Sequence, residues 1–274
     1  MKNIVTRSLS GIIYVALIVG AIFAGLSWFT ALTALFVLLA MIEFRQIAMK
    51  NSSTASFILD VVAALALCVL PVLFEINLSG TVVLGCFAVL YPVFRFTAAL
   101  YDKSPDAFRN AAMSSLAVGY IGLSLGLLNA ALCYESDSYR DIALSMFVMI
   151  WLNDTGAYCT GSLIGRRKLF ERLSPKKSWE GFFGGLTCCI IAGYLCGAWL
   201  HLTVFTTVEW VLYGIMVCLF STVGDLFESL IKRTHSIKDS GRLIPGHGGI
   251  LDRIDSLLFV APATFVFLIL AEYF

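Results

Sequence analysis

Apolar runs of roughly 20 residues recur along the whole of this chain. A run of that length crosses the hydrocarbon core of a bilayer as a helix, and in lipid a helix satisfies its own backbone hydrogen bonds. The runs fall near 11–26, 28–44, 57–74, 79–99, 111–133, 141–159, 181–201, 208–230 and 254–274. They predict an all-α, polytopic integral membrane protein with about nine transmembrane helices. The first two runs are almost continuous, which requires a tight hairpin between them. No alternation of about ten residues recurs, so a membrane barrel is disfavoured.

Composition agrees. Of the 274 residues 14% are charged, against roughly 25% in soluble domains. The eight cysteines fall mostly inside the runs and read as small hydrophobes. No C-x-x-C pair or zinc-type Cys/His spacing occurs. Lys2 and Arg7 followed by an apolar run resemble a secretory signal, but no A-x-A cleavage pattern follows, so a retained first helix is expected.

The net charge of +1 conceals an asymmetry. The N-terminal tail and alternate loops carry Lys2, Arg7, Arg45, Lys50, Lys103, Arg109 and the clusters 166–177 and 232–253, whereas the opposite loops hold only Arg140. This bias predicts a cytoplasmic N-terminus. Residues 1–110 read as N-terminal transmembrane helices and 111–274 as a C-terminal catalytic region. Asp60, Asn153, Asp154, Asp225, Glu228 and Ser229 lie near cytoplasmic span ends. Ionisable groups at membrane depth usually face a protein interior or an aqueous cavity, so the chemistry is expected at the cytoplasmic surface.

Four constellations carry that chemistry. In Asp225-Leu-Phe-Glu228-Ser229-Leu-Ile-Lys232-Arg233, helical spacing puts two carboxylates, a hydroxyl and an ammonium on one face. Hard oxygens suit Mg²⁺, which takes one or two carboxylates plus phosphate oxygens. The same residues also fit an interfacial helix end with a snorkelling Lys. In Pro245-Gly246-His247-Gly248-Gly249-Ile-Leu-Asp252-Arg253-Ile-Asp255, glycines let backbone N–H groups approach an anion, and two carboxylates sit three residues apart. A glycine-rich turn with an acidic cap is the alternative, and His247 is either a general base or a structural group. The loop Gly165–Gly181 holds six basic residues, with Ser174, Lys176 and Lys177 as phosphate ligands. Topogenic charge alone explains Arg166 to Lys168, but less readily the interleaved Pro, Trp and Glu. Asp154 and Tyr158 share a helix face in Asn153-Asp-Thr-Gly-Ala-Tyr158, either as site residues or as a polar helix contact.

In these stretches the chain resembles the phosphatidate cytidylyltransferase (CDP-diacylglycerol synthase) family. The match runs through Ser229, Lys232-Arg233, Lys238-Asp239, Gly241, Pro245, His247-Gly248-Gly249, Asp252-Arg253 and Asp255. Asp154–Tyr158, Ser174–Gly181 and, more weakly, Glu43-Phe44 are similar to further family elements. Cys159 and Ser162 depart from it, where many relatives carry an aromatic and a basic residue.

The resemblance implies an enzyme that makes CDP-diacylglycerol and pyrophosphate from CTP and phosphatidic acid. Between a bacterial plasma membrane and an organelle membrane, the short loops and the absence of a visible appended domain favour the bacterial plasma membrane. It implies Mg²⁺ linked to Asp225 and Asp252 with Ser229 nearby, a second cation such as K⁺, a homodimer and no nucleic-acid partner. Asp225, Asp252, Lys232 and Asp255 are then the expected catalytic residues. Ser174, Lys176, Lys177, Arg233, Lys238, His247, Gly248, Gly249, Arg253 and Asp154 are the expected substrate ligands. A CTP-dependent lipid-alcohol kinase of the dolichol type and a secondary transporter are the rival readings; transporters usually show internal repeats, and none is visible.

Overall fold

A computed structural model describes residues 2–49, 52–74, 78–241 and 248–273. The chain divides into two compact units, Met1–Ser136 with Ile237–Arg253 and Asp137–Ser236 with Ile254–Phe274.

The first unit contains α1 (Lys2–Ala24), α2 (Leu26–Ala48), α3 (Thr54–Leu73), α4 (Leu78–Ala99), α5 (Ala107–Ala117) and α6 (Ser124–Tyr134). A π-helical turn, Val118–Leu123, joins α5 to α6 into one continuous apolar segment. The expected hairpin between the first two runs reduces to Gly25, whose φ of 131° is rarely open to residues with a side chain. Phe29, Phe44, Leu67, Ile121, Leu125 and Leu128 fill the interior. Polar groups buried there are paired, as the cost of burial requires: Asn129 Nδ2 donates to Thr33 Oγ1 at 3.0 Å and to the Cys68 carbonyl at 2.8 Å. Asp60, fully buried, forms an ion pair with Arg95 at 3.3 Å and accepts from Tyr91 Oη and Ser114 Oγ.

The second unit contains α7 (Tyr139–Ile164), β1 (Lys168–Phe170), β2 (Ser174–Ser178), α8 (Trp179–Ala198), α9 (Thr207–Thr234) and most of α10 (Leu251–Tyr273). Thr206 and Glu209 form a reciprocal capping box at the start of α9. Trp210 and Tyr213 are fully buried, and Tyr213 Oη meets Thr264 Oγ1 at 3.1 Å.

Seven described helical segments are long and apolar enough to cross a membrane: Leu26–Ala48, Thr54–Leu73, Ala107–Tyr134, Tyr139–Ile164, Trp179–Ala198, Thr207–Thr234 and Leu251–Glu272. Leu9–Ala24 and Leu84–Ala99 are apolar but shorter. Ile12, Trp28, Val89 and Val208 are each more than 60% exposed. A water-facing surface rarely gathers such residues, whereas lipid accepts them. The molecule is an all-α integral membrane protein with one small departure: the loop expected around Ser174 is an antiparallel β-hairpin. Its strands have no apolar alternation, so the sequence pattern gave no sign of it.

Candidate active site

The second unit collects its polar side chains around the end of α9. One helical turn separates Ser221, Asp225, Ser229 and Arg233, so they line one stripe. Lys177, on β2, reaches Asp225 Oδ2 at 2.5 Å. Strand alternation turns Lys176 to the exposed side while Lys177 points at α9. Ser229 Oγ lies 3.5 Å from Asp225 Oδ1, at the long limit for donation. The adjacent stripe carries a second ion pair, Lys232 with Glu228 one turn earlier, and Glu228 is only 1% exposed. The face read from the sequence thus divides into a solvated pair and a buried pair.

The hairpin is fixed by the residues that a plain charge patch does not need. Ser178 Oγ accepts from the Gly181 N–H at 3.1 Å and caps α8. The Glu180 carboxylate accepts from the Arg166 N–H at 3.0 Å and the Arg167 N–H at 3.2 Å. Arg233 Nε donates to the Leu173 carbonyl at 3.3 Å, tying the turn of the hairpin to α9. Ser174 is half-buried on β2.

Asp255 lies close to α9. Gly224 makes this possible: a Cβ there would stand 2.6 Å from the Asp255 carbonyl oxygen. Ser256 Oγ donates to the Ser221 carbonyl at 3.2 Å, and Asn153 Nδ2 donates to Ser221 Oγ at 3.3 Å. Asp255 is within electrostatic reach of Asp225, Asp154 and Lys232. Asp154 itself is exposed on α7, as is Tyr158 one turn on.

The first unit carries the segment that runs into α10. Glu43, on α2 and 3% exposed, accepts from the N–H groups of Ile250 and Leu251, each at 2.9 Å, and from Ser240 Oγ at 3.1 Å. Asp252 Oδ2 accepts from Ser240 N and Gly249 N, each at 2.9 Å, and lies 2.9 Å from Ser240 Oγ, whose single proton serves either Asp252 or Glu43. Gly248 has φ 84°, a left-handed turn that a side chain would strain. Arg253 is exposed, and its carbonyl accepts from Tyr14 Oη at 3.0 Å. Lys238 is exposed in the same segment. His247, with Arg242, Pro245 and Gly246, lies outside the described residues.

Two organisers of this segment carry weak sequence signals. Glu43 is a minor motif residue, although a carboxylate closing an apolar run is a signal in itself. Ser240 has no charge to mark it among its charged neighbours. Asp252 is an expected metal ligand, and two backbone N–H groups, Ser240 and Gly249, tie its Oδ2 to the 240–249 loop.

The model of the cytidylyltransferase family matches residues 5–271. The chain belongs to this family. Proteins described as phosphatidate cytidylyltransferases are similar over much of their length. One from Staphylococcus epidermidis is 35% identical over 243 residues, 85% of this chain and 87% of the relative. One from Staphylococcus haemolyticus is 34% identical over 241 residues, with the same coverage. One from Staphylococcus aureus is 40% identical over 185 residues, 66% of this chain and 67% of the relative.

The donor set can be tested for a hard cation. Among the described residues no group of three or more His, Cys, Asp or Glu side chains forms a closed metal cage. Mg²⁺ at nucleotide sites does not need one, since phosphate and water complete its shell. Asp225 already holds a positive charge, the Lys177 ammonium. Asn153 Oδ1 is buried without a hydrogen-bond partner among the described residues. Carboxylate and amide oxygens are the donor types that a hard cation takes.

Proposed function

We propose that this chain is a phosphatidate cytidylyltransferase. It transfers CMP from CTP to phosphatidic acid, giving CDP-diacylglycerol and pyrophosphate. The observation that carries the reading is the family match over residues 5–271, together with a relative of that description matched over 87% of its length. In our reading the enzyme has about nine spans, lies in a bacterial plasma membrane as a homodimer and faces the cytoplasm, where its basic loops lie. Its site residues come from 111–274.

The nucleophile is a phosphate oxygen of phosphatidic acid, which attacks the α-phosphorus of CTP. A new P–O–P bond forms as the bond from the α-phosphorus to the bridging oxygen of the β-phosphate breaks, and the electron pair leaves with pyrophosphate. A phosphate monoester is already anionic at neutral pH, with a second pKa near 6, so no strong general base is required. The difficulty is to bring two anions together, and positioning and charge neutralisation supply most of the rate. Lys177, Lys176, Ser174 and Arg233 hold phosphate oxygens in this reading, as do Lys238, Arg253 and the Gly248-Gly249 backbone. Asp225 and Ser229 would hold Mg²⁺, with Asp252 as the further ligand implied by the resemblance, and Asn153 Oδ1 would suit a second cation such as K⁺. Mg²⁺ supplies charge neutralisation to the triphosphate and its leaving group when bound. Asp255, within electrostatic reach of Asp154 and of Asp225, would together with Asp154 favour a cation there, and Lys177 is placed to turn from Asp225 to a substrate phosphate.

The test is pyrophosphate release from CTP by purified, detergent-solubilised protein, dependent on added phosphatidic acid and Mg²⁺. Release of CDP with a phosphorylated lipid alcohol would point instead to a kinase.

A further inference from the structure

We infer that the first unit holds a separate binding site for a phosphate group, between α3, α4 and α5. A cavity of about 420 Å³ opens there, lined by Ser52, Ser53, Ser56, Arg95, Ser104 and Asn110 among others. None of these residues belongs to the polar cluster on α9, and the inference does not rest on the proposed reaction.

Four features make this cavity fit an oxyanion. The first is the guanidinium of Arg95, a residue only 6% exposed. It is held in place from behind: Nε faces Asp60 Oδ1 at 3.3 Å, Nη2 donates to Ser114 Oγ at 2.9 Å, and Nη1 lies 3.4 Å from Ser56 Oγ. Tyr91 and Ser114 in turn donate to Asp60. Asp60 is fully buried and occupied by these groups, so it is not on offer to a cation.

The second feature is a pair of helix N-termini. Ser53 caps α3, its Oγ accepting from the Ser56 N–H at 3.1 Å, and the first residue of α5, Ala107, also lines the cavity. Both helix ends present positive dipole ends to the same space.

The third is Ser52. It is 7% exposed, lines the cavity, and its Oγ has no hydrogen-bond partner among the described residues. A buried hydroxyl without a partner carries a free-energy cost that an accepting ligand removes.

The fourth is the balance of donors over acceptors. Asp102, the carboxylate on the lining, is exposed and accepts from the Ser104 N–H at 2.9 Å, which shapes the turn into α5. Hydroxyls, a guanidinium and two helix starts remain to donate. Phosphate, with several acceptor oxygens and a negative charge, is the group that uses them. The cavity exceeds what one phosphate fills, so a glycerol-sized ester fits beside it.

The experiment uses the full chain in detergent, with two probes. Equilibrium dialysis measures radiolabelled orthophosphate, and native mass spectrometry measures retention of phosphatidylglycerol from mixed phosphatidylglycerol–phosphatidylcholine nanodiscs. Wild type is compared with Ser52→Ala, Ser56→Ala and the cavity-filling Ala107→Leu, with Lys177→Ala as a control outside the cavity. Removal of one donor to a charged ligand weakens binding about tenfold. Ser52→Ala removes an unpartnered hydroxyl, so its melting temperature should not fall, which keeps the test open if another variant misfolds. Orthophosphate binding that is weakened by the serine variants and blocked by Ala107→Leu supports the site with a soluble ligand. The same pattern with phosphatidylglycerol alone supports it with a lipid headgroup. Binding of neither probe overturns the inference. So does binding that Lys177→Ala removes while the three cavity variants retain it.

Discussion

Lys177 on the β-hairpin and Asp225 on α9 form an ion pair at 2.5 Å, with side chains 26% and 35% exposed. An exposed pair contributes little to stability, about 0–1 kcal/mol. Its arrangement therefore points to function rather than to folding. Asp225→Asn should reduce pyrophosphate release from CTP by about a hundredfold or more, the scale of a lost electrostatic contact in a transition state. Lys177→Ala should also lower turnover. Both variants should melt within a few degrees of wild type in detergent. Near-normal activity in Asp225→Asn would remove it from the site.

Glu43 has the opposite character. It is 3% exposed and accepts from Ser240, Ile250 and Leu251. Glu43→Ala would strand buried donors, each worth about 1–3 kcal/mol. The expected result is a lower melting temperature together with lost activity. Glu43→Gln keeps the shape and one acceptor and should fall between. A melting temperature unchanged in Glu43→Ala would show that Glu43 does not hold this segment.

The apolar runs make the helices legible in the sequence, because burial in lipid demands long apolar segments and little else. Asp225, Ser229 and Lys232 were read together because helical spacing is local. The docking of Ser240 on Glu43 spans 197 positions, and no periodicity reports contacts at that distance. The hairpin was missed for a related reason: Ser174-Pro-Lys-Lys-Ser178 owes its strand form to Ser178, Glu180 and Arg233, not to alternating burial. Lys232 is an expected catalytic residue, and its ammonium pairs with the buried Glu228, a contact that helical spacing alone makes legible.

The close approach of α10 to α9 at Gly224 gives a packing test. An added methyl would stand 2.6 Å from the Asp255 carbonyl oxygen and 3.1 Å from Ser256 Cα. Backbone atoms yield poorly, so Gly224→Ala should cost about 1–3 kcal/mol. Gly20→Ala on α1, with nothing within 4 Å of the added atom, should be neutral or slightly stabilising through helix propensity. Thermal melting of the two variants in one detergent checks the contrast. Equal effects would place the strain elsewhere.

His247 is a further discriminator, argued from chemistry alone. If the lipid phosphate attacks already ionised, His247→Ala should cost less activity than Asp225→Ala. The pH profile of kcat/KM should then keep its shape in the histidine variant. A larger loss in His247→Ala, with a flattened acid limb, would restore a general base.

Lys232 can be separated into its two possible duties. Glu228 is 1% exposed, so Lys232→Ala leaves a buried carboxylate without its counter-charge. Breaking a buried pair in this way costs about 3–5 kcal/mol, whereas removing both partners costs much less. The double variant Lys232→Ala with Glu228→Ala should therefore recover most of the melting temperature lost by Lys232→Ala alone. Activity then decides the role. If Lys232 only neutralises Glu228, turnover recovers along with stability. If its ammonium also serves a phosphate of the substrate, turnover stays low in a protein that has regained its fold. Measuring melting temperature and pyrophosphate release on the same four preparations completes the cycle.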